Sequence, residues 1–311
     1  MRKVIGIGET VLDIIFRGNE PIGAVPGGST YNSIISLGRA GIESTFISET
    51  GDDRVGRRII DFLKENGVDP SSVSMFQGKK SPVSLAFLNE QNDAEYLFYK
   101  DHDNDRLDFV FPEIHADDIV VFGSYYAVNP VIRQQVGSLL EAAHQADAIV
   151  YYDVNFRSVH RNEVVKLTPN LLENFEYADI IRGSVEDFDN LFQQTDPERI
   201  YKSQISFYCQ NFICTNGSNP IHLMSRSFRK QYPVPQLQTV STIGAGDNFN
   251  AGFMFGLIRL GITRSDLAAG LSETQWDRLM ACAQAFSANV CQSLSNYVDK
   301  DFGEKMKNAT L

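Results

Sequence analysis

Short apolar runs alternate with amphipathic stretches along most of this chain. The apolar runs are typical of buried strands, and the amphipathic stretches carry apolar residues at the spacing of one helix face. The pattern predicts strands at residues 4–7, 44–47, 119–122, 148–152, 180–181 and 212–215, and helices at residues 30–40, 55–66, 132–146, 186–192 and 248–260. Strands that alternate with helices form βαβ units, so we expect an α/β fold with a mostly parallel sheet. The ligand site of such a sheet lies at the carboxyl ends of its strands.

Two segments, residues 10–30 and 81–111, depart from this rhythm. They alternate apolar and polar side chains and are rich in aromatic residues, as between Tyr96 and Tyr99. Alternation of this kind predicts half-exposed antiparallel strands. The two segments could pair into a small sheet that covers the site, although ordinary surface hairpins fit the pattern equally well.

The composition of the 311-residue chain excludes several classes of protein. Hydrophobic residues make up 43% and charged residues 22%, which is the balance of an ordinary globular protein. The formal charge of −11 argues against binding to nucleic acid or to an anionic membrane surface. We find no apolar run of the ~18 residues that a membrane helix needs, no signal peptide and no CxxC pair among the cysteines. The expected location is the cytoplasm.

The most informative segment is a glycine loop of Gly244, Ala245 and Gly246, followed at once by Asp247 and a helical pattern. Backbone N–H groups in such a loop can turn toward a ligand, and a helix N-terminus favours negative charge. An anion hole beside a carboxylate base suits phosphoryl transfer to an alcohol, because Asp247 can take the hydroxyl proton. We expect the helix terminus to keep Asp247 ionised. Considered alone, Asp247 fits the plainer role of a helix N-cap equally well.

Glycine and polar residues elsewhere supply a second half of the site: Asp13, Gly27, Gly28, Asn32, Asn155 and Arg157. The glycine pair permits close approach of the backbone to a ligand, and Asn32 offers both a donor and an acceptor. Carboxylate, amide and backbone groups together can clamp vicinal hydroxyls. Plainer roles remain open: Asp13 as a turn residue, Asn32 as a cap and Arg157 in a surface ion pair.

These motifs resemble those of the ribokinase-like (PfkB) sugar kinases over nearly the whole chain. The second signature of that family is matched throughout residues 241–254, and the first is matched by Gly27, Gly28, Asn32, Gly41 and Gly51 at the family spacings. The resemblance implies one three-layer α/β/α domain of residues 1–311, with a mostly parallel central sheet. The two irregular segments would form a small antiparallel β lid, which in this family often mediates dimers. A homodimer through the lid is therefore implied.

The resemblance also implies ATP-dependent phosphorylation of a sugar hydroxyl, with Asp247 as the base and residues 244–246 as the anion hole. It implies substrate contacts from Asp13, Gly27, Gly28, Asn32, Lys100, Asn155 and Arg157. It implies nucleotide contacts from Ser184, Thr215, Gly217 and Asn289. Magnesium would be bound through water by Glu186 and Asp187, although Ser184 and Asp187 stand where the family usually has Asn and Glu. A monovalent cation such as K⁺ is a further expectation.

Three local features are most similar to fructokinases and 2-keto-3-deoxygluconate kinases. They are the D-V-N-F-R run at 153–157, the S-V-E-D run at 184–187, and Tyr99-Lys100 followed by the N-D-R-L run at 104–107. Fructose is therefore the predicted acceptor, with 2-keto-3-deoxygluconate and ribose as alternatives. A catalytically inactive sugar-binding sensor is a further alternative, against which the intact Asp247 argues. A nicotinamide dehydrogenase is excluded because Gly6-Ile7-Gly8 lacks the third glycine of the dinucleotide fingerprint.

Overall fold

The computed structural model describes residues 2–89, 94–100 and 110–309, whose strands and helices alternate along most of the chain. In chain order the strands are β1 (Val4–Ile7), β2 (Val11–Arg17), β3 (Glu20–Gly27), β4 (Ser44–Gly51), β5 (Val68–Asp69), β6 (Val73–Phe76), β7 (Val83–Leu88), β8 (Ala94–Tyr99), β9 (Ile119–Gly123), β10 (Ile149–Asp153), β11 (Ile180–Ser184), β12 (Asn211–Asn216), β13 (Asn219–Met224) and β14 (Arg229–Tyr232). The helices are α1 (Ser29–Arg39), α2 (Arg54–Glu65), α3 (Ser124–Val128), α4 (Arg133–Gln145), α5 (Val164–Tyr177), α6 (Val185–Phe192), α7 (Pro197–Ile200), α8 (Ala245–Arg259), α9 (Arg264–Ala269), α10 (Glu273–Cys291) and α11 (Lys300–Asn308).

The larger sheet runs in the order β14-β13-β12-β11-β10-β9-β1-β4-β5, and β6 pairs with β4. Its strand pairs from β5 and β6 to β12 are parallel, whereas β13 and β14 extend one edge in antiparallel fashion. Parallel strands end at the same edge of a sheet, so the segments that follow β1, β9, β10, β11 and β12 open onto one side. The site residues lie along this edge.

Helices cover both faces of the larger sheet, where they bury two clusters of apolar side chains. Val4 of β1 packs into the cluster that contains α1, α8 and α10, whereas its neighbour Ile5 packs into the cluster that contains α3, α4 and α5. Successive side chains of a strand point to opposite faces, and β1 is buried throughout. The sheet is thus the middle layer of the expected three-layer α/β/α arrangement. No helix among the described residues is long and apolar enough to cross a bilayer.

Every strand and helix that the hydrophobic pattern predicted is present, with ends that coincide with the prediction or differ from it by a few residues. The pattern did not predict α10, the longest helix of the described chain. Its buried residues do recur at helical spacing: Trp276, Leu279, Ala283, Phe286 and Val290. The signal for this helix was therefore present in the sequence. By contrast, β5 has two residues and leaves no readable period.

A second sheet, in the order β3-β2-β7-β8, joins the two irregular segments as predicted. The β2–β3 and β7–β8 pairs are antiparallel, but the central β2–β7 pair is parallel. Both β2 and β7 follow strands that run in the same direction in the larger sheet, β1 and β6, so they leave it with the same orientation. Residues 90–93 and 101–109, including the N-D-R-L run, lie outside the described residues. The division into one domain with a discontinuous lid stays a prediction.

Candidate active site

The carboxylate of Asp247 is held between two glycine motifs that lie far apart in the sequence. Helix α8 begins directly after Gly244, and Asp247 lies in its first turn. Ser29 donates its hydroxyl to Oδ1 of Asp247 at 2.9 Å, and Asn32 Nδ2 donates to Oδ2 at 2.8 Å. The N-cap position is occupied by Gly244, which makes no side-chain cap hydrogen bond. Asp247 is therefore not the N-cap, and its carboxylate faces α1 instead.

Burial raises the pKa of Asp247 to about 6. The hydrogen bonds from Asn32 and Ser29 and the charge of Arg157 lower this pKa, whereas the charge of Asp153 raises it. Loss of solvation thus outweighs the stabilisation of the anion by its donors. A pKa of about 6 leaves the carboxylate mostly ionised at neutral pH and lies close to the range that suits a general base.

Close neighbours explain why glycine occupies positions 244 and 246 of the loop. Gly244 adopts a left-handed conformation with φ +74°, and a Cβ there would lie 2.8 Å from the carbonyl oxygen of Asn296. A Cβ on Gly246 would lie 3.0 Å from both terminal nitrogens of Arg182. Asn248 Nδ2 donates to the carbonyl oxygens of Gly244 and Asn296, at 2.8 and 2.9 Å. Asn248 thus ties the loop to the segment that contains Asn296. The amides of the loop lie at the start of a helix.

The predicted acceptor residues of the N-terminal half gather next to Asp247. Asp13 is buried on β2, where it accepts hydrogen bonds from the Ser84 hydroxyl and from Asn296 Nδ2. A Cβ on Gly27 would lie 2.5 Å from Oδ2 of Asp13. Burial raises the pKa of Asp13 to about 6, and the charge of Asp247 adds to the increase. The two carboxylates are therefore electrostatically coupled.

Gly28 and Asn32 contribute to this region from the start of α1. Gly28 has φ +133°, and a Cβ there would lie 2.3 Å from the carbonyl oxygen of Glu9, so only glycine fits. The side-chain oxygen Oδ1 of Asn32 is buried and has no hydrogen-bond partner among the described residues. An unpaired buried acceptor is costly, and the hydroxyl of a ligand would satisfy it.

The small sheet contributes side chains to a crevice next to Asp13. This crevice is lined by Asp13, Ile15, Ala86, Leu88, Tyr96, Ile243, Leu294 and Asn296. Tyr96 reaches in from β8. Burial raises the pKa of its phenol, and the charges of Asp13 and Asp247 raise it further whereas Arg157 lowers it. Arg157 itself is exposed, yet its charge acts on both Tyr96 and Asp247.

Asn155 and Lys100 lie at the rim of the region. Asn155 has φ +36° and donates to the hydroxyl of Ser124 at 2.7 Å, and Ser124 itself has φ +58°. Left-handed conformations are uncommon for residues other than glycine, so two of them at adjacent strand ends mark a constrained edge. Lys100 Nζ lies 3.2 Å from Oε2 of Glu9, which joins the end of the lid to the segment after β1.

The residues predicted for the nucleotide lie at the ends of the neighbouring strands. Ser184 and Asp187 form a capping box at the start of α6, in which Oδ2 of Asp187 accepts from the Ser184 amide at 2.6 Å and hydroxyl at 2.8 Å. Asp187 is buried, whereas Glu186 is exposed. Burial raises the pKa of Asp187. No group of three or more metal-ligating side chains is found among the residues that the structure describes.

The remaining nucleotide residues are more dispersed. Thr215 accepts a 2.7 Å hydrogen bond from Arg182 at the carboxyl end of β12. Gly217, with φ +55°, forms the turn that follows, and nothing lies within 4 Å of where its Cβ would be. Asn289 Oδ1 accepts from the amide of Asp299 at 2.9 Å, so this side chain orders the start of α11.

The structure thus brings Asp13, Gly27, Gly28, Asn32, Asp247 and the glycine loop together, and it adds residues that sequence reasoning missed. The additional residues are Ser29, Ser84, Tyr96, Arg182 and Asn296. Ser29 directly follows the glycine pair, and Arg182 is the charged residue of an otherwise apolar strand, so both left a signal. Asn296 lies in a loop with no motif, and only the tertiary contacts reveal it.

Both the sequence and the fold are similar to those of known proteins. The model of the pfkB family of carbohydrate kinases matches residues 1–300. A probable fructokinase-6, chloroplastic, of Arabidopsis thaliana is 26% identical over 276 residues, which cover 87% of this chain and 69% of that protein. A 5-dehydro-2-deoxygluconokinase of Geobacillus thermodenitrificans (strain NG80-2) is 29% identical, with 75% and 72% covered. The crystal structure of a fructokinase from Vibrio cholerae O395, bound to fructose, ADP and calcium ion, superposes with a TM-score of 0.82 at 19% identity, covering 95% of this chain and 94% of that one.

Proposed function

The chain belongs to the pfkB family of carbohydrate kinases and is a sugar kinase, a phosphotransferase whose acceptor is an alcohol group; we propose that it transfers the γ-phosphoryl group of Mg-ATP to fructose. The observation that carries the proposal is the position of Asp247, with its carboxylate oriented by Ser29 and Asn32 at the start of α8. The hydroxyl of the sugar approaches Asp247, which takes its proton as the oxygen bonds to the γ-phosphorus; the bond from that phosphorus to the bridging oxygen breaks, and ADP leaves. The amides of the glycine loop stabilise the charge that builds on the transferred group.

A neutral ketose fits the charges near Asp247 better than a sugar acid. Asp13 and Asp247 are both buried carboxylates, and they accept hydrogen bonds from hydroxyl groups but repel a substrate carboxylate. Lys100 is paired with Glu9, which reduces its capacity to balance a substrate anion. Relatives named fructokinase and 5-dehydro-2-deoxygluconokinase match at similar identity, so the preference for fructose rests on this electrostatic argument.

The donors near α6 fit a magnesium ion that arrives with the nucleotide. Mg²⁺ commonly keeps several waters and is held by one or two carboxylates together with substrate phosphates. Glu186 is exposed in the first turn of α6, whereas one oxygen of Asp187 is occupied by the capping box. We therefore assign the water-mediated contact to Glu186 and a supporting role to Asp187. A K⁺ site stays a prediction from the resemblance.

The lid supports a homodimer. Its edge strand β8 exposes Leu97 by 46%, Phe98 by 70% and Tyr99 by 55%. Exposed apolar side chains on an edge strand are typical of a surface that pairs with another chain. Sedimentation of Phe98→Glu is expected to give a lighter species than the wild type, whereas Phe207→Glu, at a site that is 80% exposed on another surface, leaves the mass unchanged. Equal mass for all three proteins would contradict a dimer through the lid.

The cysteines support a reducing compartment, and we place the protein in the cytoplasm on this basis. All four are free thiols, whereas chains from oxidising compartments commonly pair theirs. Burial raises the pKa of the Cys209 and Cys214 thiols to about 12, so they are inert.

ADP release with Mg-ATP, measured over fructose, ribose, glucose, 2-keto-3-deoxygluconate and 5-dehydro-2-deoxygluconate, tests the function. We expect the highest kcat/KM for fructose. In Asp247→Asn, turnover should fall by about 10²- to 10⁴-fold while calorimetry still detects sugar binding. A preference for a sugar acid or ribose would replace fructose but keep the kinase. Sugar binding without any ADP release would instead support the inactive sensor.

A further inference from the structure

Arg182 is a buried arginine directly behind the glycine loop. Its side chain is 7% exposed and lies in β11, whose other residues are apolar, glycine or the final serine. The terminal nitrogens Nη1 and Nη2 are the atoms that a Cβ on Gly246 would meet at 3.0 Å. The guanidinium therefore lies against the loop at Gly246.

Two hydrogen bonds fix the guanidinium in this position. Nη1 lies 3.0 Å from Oδ1 of Asp153 at the end of β10, and Nη2 donates to Thr215 Oγ1 at 2.7 Å at the end of β12. Arg182 thus joins the ends of three adjacent strands to the first turn of α8. Phe249 of α8 packs near the same group, with its ring centre 5.8 Å from Cζ.

Asp153, the ionic partner, also contacts the catalytic helix. Its Oδ2 accepts a 2.8 Å hydrogen bond from Asn250 Nδ2, and Tyr151 donates its hydroxyl to Oδ1 of Asn250 at 2.9 Å. The side chains of Asp153 and Arg182 are 4% and 7% exposed, so each charge depends on the other for compensation. Loss of Arg182 would leave the buried carboxylate of Asp153, which is hydrogen-bonded to Asn250 of α8, without its cation.

We infer that Arg182 is a positioning residue of the phosphoryl-transfer centre. It fixes the positions of Gly246 and Thr215, and it neutralises the charge of Asp153, which acts on Asp247. The inference rests on the proposed function and deepens the same site. Arg182 acts through the loop, through Thr215 and through Asp153, and it is not assigned a contact with the sugar or the reacting atoms.

The charges around Asp247 give the inference a distinctive pH signature. Asp153 raises the pKa of Asp247, Arg157 lowers it, and Asp13 and Tyr96 face it from the lid. Without Arg182, the field of Asp153 is no longer compensated, so the pKa of Asp247 rises. The acid limb of kcat/KM must then move to higher pH. Asp153→Asn removes the same field, and the limb must move to lower pH.

The experiment compares wild type, Arg182→Met, Arg182→Lys and Asp153→Asn by kcat, KM for ATP, KM for fructose and the pH profile. Arg264→Met is the matched control, because Arg264 is 19% exposed and lies 3.0 Å from Asp179, which precedes β11 at the opposite edge of the sheet. Thermal melts of every variant report any general loss of stability.

We expect Arg182→Met to lose about tenfold to a hundredfold in kcat, with KM for ATP raised more than KM for the sugar because Thr215 loses its partner. Arg182→Lys keeps the positive charge, so its acid limb of kcat/KM should lie at the wild-type pH, whereas only part of kcat should be restored. Arg264→Met should have a lower melting temperature, with kcat and the acid limb of kcat/KM unchanged. Should Arg182→Met fail to fold, the shift of the acid limb in Asp153→Asn and the partial loss of kcat in Arg182→Lys still test the inference.

Two failures can be told apart. If wild type and Arg264→Met transfer phosphoryl groups, and Arg182→Met keeps their kcat and acid limb, the role of Arg182 is overturned and the kinase stands. If wild type transfers no phosphoryl group to any sugar, the proposed function is overturned, and the inference falls with it.

Discussion

Asn32 donates a 2.8 Å hydrogen bond from Nδ2 to Oδ2 of Asp247, although the two residues are 215 positions apart. The contact joins α1 to α8, and with them the glycine pair at 27–28 and the glycine loop at 244–246. Each motif opens a helix at the same edge of the sheet. In the proposed reaction one motif approaches the acceptor and the other binds the anion, so this contact would align the two halves of the reaction.

The pH profile of kcat/KM is expected to show an acid limb near pH 6. Burial raises the pKa of both Asp247 and Asp13 to about 6, and both must be ionised for the base and the hydroxyl clamp to work. Activity should therefore rise with pH through that value, more steeply than one proton allows. Asp13→Asn should leave a one-proton slope. A limb near the pKa of an ordinary carboxyl group would contradict the burial of both side chains.

Ser29→Ala is expected to move the acid limb to higher pH. The hydroxyl of Ser29 lowers the pKa of Asp247 through its bond to Oδ1, so its removal makes the carboxylate easier to protonate. Activity should fall below neutral pH and change little in alkaline solution. Ser33→Ala is the control, because Ser33 donates to the backbone carbonyl of Asp247 and not to its carboxylate. Equal shifts in both variants would refute this account.

Gly244→Ala is expected to lose turnover as well as stability. Alanine at φ +74° costs about 1–2 kcal/mol, and its Cβ would also press on the carbonyl oxygen of Asn296 at 2.8 Å. Gly261→Ala separates the two effects, because Gly261 has φ +65° with nothing within 4 Å and lies beyond the far end of α8. Both variants should melt earlier, and only Gly244→Ala should lose about tenfold or more in kcat. Comparable kcat in the two would show that the loop tolerates displacement.

Glu186→Gln and Asp187→Ala are expected to separate metal binding from helix capping. The Mg²⁺ concentration for half-maximal activity should rise roughly tenfold in Glu186→Gln, with no change in melting temperature. Asp187→Ala removes the acceptor of two hydrogen bonds at the start of α6. Its free energy of unfolding should fall by about 1 kcal/mol. A Mg²⁺ requirement that changes only in Asp187→Ala would reverse the two assignments.

Much of the fold and part of the site could be predicted from the sequence. The buried strands and the helices around them are encoded in local apolar periods, so β1 was predicted with its observed bounds. Asp247 and the glycine loop occupy four consecutive residues, 244–247, from which an anion site could be predicted. The partners of Asp247 were harder to predict. Ser29 resembles any serine at the start of a helix, and its contact with Asp247 exists only because α1 packs against α8.

What the sequence alone determined are the features that depend on neighbours along the chain: the alternating strands and helices, the glycines that open α1 and α8, and the carboxylate at the start of α8. The tertiary structure decided which oxygen of Asp247 meets Ser29 and which meets Asn32, and it showed that burial raises the pKa of Asp247 where a helix terminus alone would lower it. It also placed Arg182 behind Gly246 and paired β2 in parallel with β7. Desolvation and long-range contacts depend on the whole fold, so no local pattern encodes them.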